Sequence, residues 1–103
     1  MHAIYWKKQA INELIKIGQH IAKDNPANAE KMVDLIEKKV TPLAVHSRMG
    51  RMGRKQGTYE LVVHQSYVVV YRIIAMQAEV LEVLEVLRVK HTAQQWPSTS
   101  RLQ

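Results

Sequence analysis

The chain has 103 residues, enough for one domain with a single two-layer core and little room for a second module. Fifteen Lys and Arg against nine Asp and Glu leave a formal charge of +6, which favours an acidic partner: nucleic acid or an anionic protein surface. The absence of cysteine excludes a disulfide framework or thiolate metal site and suits a reducing cytoplasm; no apolar run approaches the roughly 20 residues of a membrane span, and Met1 to Lys8 lacks a signal-peptide pattern.

Ala3 to Trp6 reads as a short first strand, with Ile4 and Trp6 on one face and Tyr5 opposite, before Lys7 and Lys8 return the chain to solvent. From Lys8 to Ala22, Ile11, Leu14, Ile15, Gly18, Ile21 and Ala22 recur at steps of three and four and form one stripe of a helix, with Gly18 marking a close approach to another element. Asp24-Asn25-Pro26 then both stops and starts: Asn25 suits an N-cap, and Pro26 at the first helical position loses no hydrogen bond. A second helix runs to about Val40, its stripe being Ala29, Met32, Val33, Ile36, Val40 and Leu43, while Lys31, Asp34, Lys38 and Lys39 face water. So short a link makes the two helices an antiparallel hairpin.

Pro42 ends or kinks the second helix, and a cationic segment comes after it, His46-Ser47-Arg48-Met49-Gly50-Arg51-Met52-Gly53-Arg54-Lys55-Gln56-Gly57. A backbone that folds back on itself at Gly50, Gly53 and Gly57 can hold Arg51 and Arg54, whose forked donors suit carboxylate or phosphate, at the edge of the next element. Three runs rich in Val, Ile, Leu and Tyr come next, Tyr59 to Val63, Tyr67 to Ile74 and about Glu79 to Val89, divided by the turn-prone His64-Gln65-Ser66 and Ala75-Met76-Gln77. Short links imply antiparallel pairing. The last run repeats every three residues and also reads as a helix with a glutamate edge; its β-branched content and its position after two strands favour a strand. The reading is an α+β fold, a helical hairpin packed on a small twisted antiparallel sheet of three to four strands. Mutual burial of their apolar faces, roughly 1.5 to 3 kcal/mol for each large aliphatic side chain, dominates its stability. Residues 1–97 form the domain and 98–103 a flexible polar tail.

Chemistry needs side chains that converge, and few here have spaced partners. His91 closes the last strand three residues after Arg88, near Trp96 and Pro97, and is a candidate base or phosphate ligand as well as an ordinary strand-end residue. His64 is expected exposed at a hairpin turn; His2, His20 and His46 match no metal motif, and neither a metal nor a cofactor is expected. Arg51, Arg54 and Lys55 are candidate anion contacts, but Gly50 and Gly53 do not form a phosphate loop, which needs a strand before and a helix after. Arg72 and Arg88 stand within apolar runs, where a guanidinium must be paired, and Glu60 is a candidate partner. Tyr67 and Tyr71 share a face by their spacing, for core packing or for stacking on bases.

The pieces Asp24-Asn25-Pro26 with Ala29, Gly50-Arg51-Met52-Gly53-Arg54 leading through Gly57-Thr58-Tyr59-Glu60-Leu61-Val62-Val63, Tyr67-Val68-Val69-Val70-Tyr71-Arg72, and Leu87-Arg88-Val89-Lys90-His91 with Trp96-Pro97 cover nearly the whole chain. In this order they resemble the RelE/ParE superfamily of toxins from type II toxin-antitoxin modules, most closely the ParE-like branch. The resemblance implies a cytoplasmic toxin, causing growth arrest and used in plasmid stabilization. It is neutralised in a hetero-oligomer by a cognate antitoxin, reaches operator DNA only through that antitoxin, and acts either on DNA gyrase or on ribosome-bound mRNA. A metal-independent endoribonuclease of RelE type would draw on Arg72, Arg88 and His91. The nuclease pattern is poorly matched, with Val68 where the family carries an arginine after its first strand tyrosine, Glu60 and Val62 where lysines are expected, and Thr92-Ala93 after His91. The expectation is therefore a gyrase inhibitor, not an enzyme, with Arg51, Arg54, Lys55, Arg88, His91 and Trp96 as contacts for antitoxin or target.

Overall fold

The computed structural model describes residues 2–75 and 82–92. In chain order the elements are β1 (Ala3–Trp6), α1 (Lys8–Ala22), α2 (Pro26–Val40), a 3-10 turn (Thr41–Ala44), β2 (Arg51–Met52), β3 (Tyr59–His64), β4 (Tyr67–Ala75) and β5 (Glu82–His91). The two helices pack on one face of a five-stranded sheet of order β1-β5-β4-β3-β2. Among the described residues no helix is long and apolar enough to cross a membrane. The expected turn at 76–77, Trp96 and the polar tail lie outside the described residues.

The helix limits follow from local chemistry. The Asn25 side chain accepts from the Asn28 amide at 3.1 Å, and Pro26 opens α2. Pro42 has no N–H to continue the helix, so the chain tightens into the 3-10 turn that buries Leu43. Gly18 lets the helices meet, since a Cβ there would stand 3.2 Å from Val33 Cγ2.

The sheet departs from a wholly antiparallel arrangement of three to four strands in two ways. β1 joins as an edge strand parallel to β5, pairing Ala3 with Val83 and Trp6 with Val86, which packs Ile4 and Trp6 against the core. Within the glycine-arginine segment, β2 pairs Arg51 with Glu60 and Met52 with Tyr59. Both additions satisfy backbone groups along edges that β3 and β5 would otherwise leave open.

Helix α1 is turned from its expected stripe. Ala10 and Leu14 are buried and Ile17 packs on the core, whereas Ile11 and Ile15 are 42% and 51% exposed. Two adjoining rows of α1 both keep helical spacing, and the row that meets β5 is the one containing Ala10. The core otherwise joins Ile36, Val40 and Leu43 to Val63, Tyr67, Val69, Tyr71, Leu84, Val86 and Val89. Tyr67 and Tyr71 are therefore core side chains rather than platforms for bases.

One three-residue step in the last run, from Val86 to Val89, has a structural cause. The register between β4 and β5 passes from Val70–Arg88 to Tyr71–Val86, so Leu87 is the inserted residue of a β-bulge. The core positions accordingly step from Leu84 and Val86 to Val89.

Candidate functional site

The glycine-arginine segment is held down by buried groups of the sheet. Tyr71, fully buried, donates from its hydroxyl to the Ser47 carbonyl at 2.7 Å and accepts from the Gly50 amide at 3.0 Å. Its ring stacks on Tyr59 at 5.4 Å, and Arg48 donates to the Tyr59 hydroxyl. Glu60, 3% exposed, accepts from the Arg51 guanidinium at 3.3 Å and from the Arg54 amide at 3.2 Å. The loop closes through Gly53 N–H to the Thr58 carbonyl at 2.8 Å.

The glycines serve different ends. Only Gly57 has a positive φ, +83°; at Gly50 a Cβ would lie 2.8 Å from the Glu60 carbonyl oxygen and the Tyr71 hydroxyl, and at Gly53 it would strike Thr58. Close approach, rather than a left-handed turn, requires the first two. Arg51 is thus a structural partner of a buried carboxylate, although its own side chain is 66% exposed.

Glu60 is not the partner of the other two arginines. Arg72 donates from Nε to Glu85 at 2.7 Å, across the β4–β5 ladder. Arg88 donates from Nε and Nη2 to Glu13 Oε2 at 2.8 and 2.6 Å, and Glu13 Oε1 accepts from the Val89 amide at 2.9 Å. The hydrogen bonds that Arg88 donates to Glu13 hold its guanidinium above its ordinary pKa, against a smaller opposing effect of burial.

Lys55, Arg72 and Arg88 come together with Lys7, Lys8 and Lys90 around a concavity of about 530 Å³, centred on the sheet face away from the hairpin. Tyr5, Gln9, Thr58, Val70 and Leu87 complete the lining, and its described residues include no carboxylate or imidazole. α1 begins at its margin with no acid in the first turn, so no carboxylate of that turn offsets Lys7 and Lys8. The arrangement can attract and hold an anion.

His91 belongs elsewhere. It meets Tyr67 edge to face at 5.2 Å and lines a groove of about 320 Å³ with His20, Lys16 and Glu13. Arg51 and Arg54 are not among the residues lining either hollow. His64, expected exposed, is half-buried because its Nδ1 accepts from the Ser66 amide at 3.0 Å within the turn. The structure thus divides the candidate residues between a pinned loop, a cationic concavity and a histidine groove; Trp96 lies outside the described residues. Sequence reasoning missed Glu13, Lys7, Lys8 and Lys90. The Lys7-Lys8 pair before an acid-free helical turn was the readable signal; nothing in the chain order links Glu13 to the bulge.

A family model described as the ParE toxin of the type II toxin-antitoxin system parDE matches residues 4–96. The Sinorhizobium fredii protein Y4kP is 38% identical over 95 residues, covering 91% of this chain and 92% of that protein. A chain of the chromosomal ParDE toxin-antitoxin system of P. aeruginosa superposes with a TM-score of 0.76 over 88% of this chain and 96% of its own, at 22% identity, a likeness of fold.

Proposed function

The chain belongs to the ParE toxin family of type II toxin-antitoxin systems, and we propose that it inhibits DNA gyrase by protein–protein binding and is neutralised by a cognate antitoxin. The observation that carries this reading is the cationic concavity: six Lys and Arg side chains around an apolar lining, with no carboxylate or imidazole among its described residues. Such a surface is suited to gripping an acidic partner. Toxin and antitoxin form a cytoplasmic hetero-oligomer, and operator DNA is contacted only through the antitoxin.

An endoribonuclease of RelE type would require Arg72, Arg88 and His91 to converge on one phosphate. Arg72 and Arg88 share the concavity, each engaged by a carboxylate, while His91 lines the separate groove beside Tyr67. That separation weighs against cutting and for binding.

Purified protein added to gyrase is expected to inhibit supercoiling or trap cleaved plasmid, while leaving a translated mRNA intact. Cleavage of mRNA in a ribosome assay, with gyrase unaffected, would overturn the reading.

A further inference from the structure

The residue inserted into β5 decides which side of the sheet the last histidine takes. Leu84 and Val86 face the helices; beyond Leu87 the alternation is displaced by one, so Val89 and His91 face them too and Lys90 falls on the concave side. Opposite stands a stripe of α1 spaced by three and four, Glu13, Lys16, Ile17 and His20, and the two sides bound the groove of about 320 Å³ that Tyr67 also lines. We propose that this groove binds a phosphate monoester, its phosphate on Lys16, His20 and the Tyr67 hydroxyl and its organic group along Ile17 and Val89. The groove shares no lining residue with the cationic concavity, so the site stands independently of the gyrase reading.

Tyr67 supplies the observation that asks for a ligand. It is 6% exposed and meets His91 edge to face at 5.2 Å, yet its hydroxyl makes no hydrogen bond among the described residues, whereas that of Tyr71 makes two. A tyrosine buried to that degree ordinarily finds a partner, and the groove is the space Tyr67 lines. Glu13 does not turn an anion away, because Oε2 is taken by Arg88 and Oε1 by the Val89 amide. A phenol O–H, an ammonium and an imidazole suit the three terminal oxygens of a phosphate monoester better than the two of a carboxylate. The volume lies near the lower end of small-molecule pockets, roughly 300–1,000 Å³, and leaves room beside the phosphate for an organic substituent on the apolar wall.

The test uses the full chain, isotope-labelled for amide NMR, titrated separately with phenyl phosphate, inorganic phosphate, benzoate and a short single-stranded oligonucleotide. Phenyl phosphate is expected to bind saturably and shift the amides of Ile17, His20, Tyr67 and Val89. Inorganic phosphate should shift the same amides with lower affinity, lacking the apolar contact, and benzoate should bind about tenfold more weakly than phenyl phosphate. Affinity for phenyl phosphate is expected to fall about tenfold in Lys16→Gln/His20→Gln and to stay at the parent value in Lys38→Gln, which removes a charge from α2; circular dichroism checks that both variants fold.

Tyr67→Phe separates a ligand site from a structural role. With no protein partner to lose, it is expected to keep the parent's urea midpoint while its affinity for phenyl phosphate falls about fivefold. A less stable Tyr67→Phe chain with unchanged affinity would assign the hydroxyl to the fold and overturn the proposal. So would shifts confined to Tyr5, Thr58 and Leu87, which would place the anion in the concavity. Benzoate binding as tightly as phenyl phosphate would remove the phosphate assignment, and tighter binding of the oligonucleotide at the groove amides would make the groove a nucleic-acid contact instead.

Discussion

Glu13 and Arg88, 75 positions apart, are joined by hydrogen bonds of 2.6 and 2.8 Å to one carboxylate oxygen, and the other oxygen accepts from the Val89 amide. One side chain of α1 thereby fastens the helix to β5 just beyond the bulge at Leu87 and supplies an acceptor for a backbone amide there.

Glu13→Ala is expected to lower stability by about 1–2 kcal/mol, since it removes a charge-assisted pair and the acceptor of the Val89 amide at a half-buried site. Glu13→Gln keeps an oxygen for that amide and should cost about half as much. Urea denaturation at neutral pH checks the order. A Gln variant as damaged as the Ala variant would assign the whole effect to charge.

Tyr71 gives a pH dependence of known sign. Burial raises its phenol above the ordinary value of about 10, with the hydrogen bond from Gly50 acting the other way. From about pH 10 upward the unfolded chain releases a proton that the folded chain retains, so this contribution to stability is intact below pH 10 and is lost as pH rises toward the folded value. Tyr71→Phe should lose about 1 kcal/mol at neutral pH and show a shallower alkaline decline than the parent. Equal alkaline slopes in denaturant midpoints would count against burial as the cause.

Gly50→Ala should be more damaging than Gly57→Ala. At Gly50 the new methyl meets the Glu60 carbonyl and the Tyr71 hydroxyl at 2.8 Å and must displace the loop or the sheet, costing about 1–3 kcal/mol. At Gly57 nothing stands within 4 Å, and the cost is the left-handed backbone alone, about 1 kcal/mol. Thermal unfolding of both variants gives the comparison, and the reverse order would refute the close-approach account.

Arg51 and Glu60 are expected to be coupled. Arg51→Ala leaves a nearly buried carboxylate with the Arg54 amide and should cost about 1 kcal/mol, while adding Glu60→Gln should recover part of that loss. A double-mutant cycle measures the recovery. Additive losses would mean that Arg51 stands over Glu60 without stabilising it.

Much of the fold was legible along the chain. The spacing of Ala29, Met32, Val33, Ile36 and Val40 and the Asn25-Pro26 start defined α2, and the runs around Tyr59 and Tyr67 defined β3 and β4, because those signals lie between residues a turn or a pleat apart. The candidate site was less legible. Arg51, Arg72 and Arg88 stood out as cations needing partners, yet their carboxylates lie 9, 13 and 75 positions away, and Lys7, Lys8 and Lys90 had no reason in chain order to share a concavity with Lys55.

Spacing along the chain determined that there are two helices followed by strands, where α1 and α2 begin and end, and that the glycine-arginine segment returns to the sheet, since caps, proline and apolar period act between near neighbours. Tertiary structure decided which of two equivalent rows of α1 faces β5, that β1 lies parallel to β5, that Leu87 is inserted as a bulge, and which acid each arginine meets. Those choices depend on the shape of a surface made by residues far apart in the chain, and no local propensity distinguishes the alternatives until the helices and the sheet are packed together.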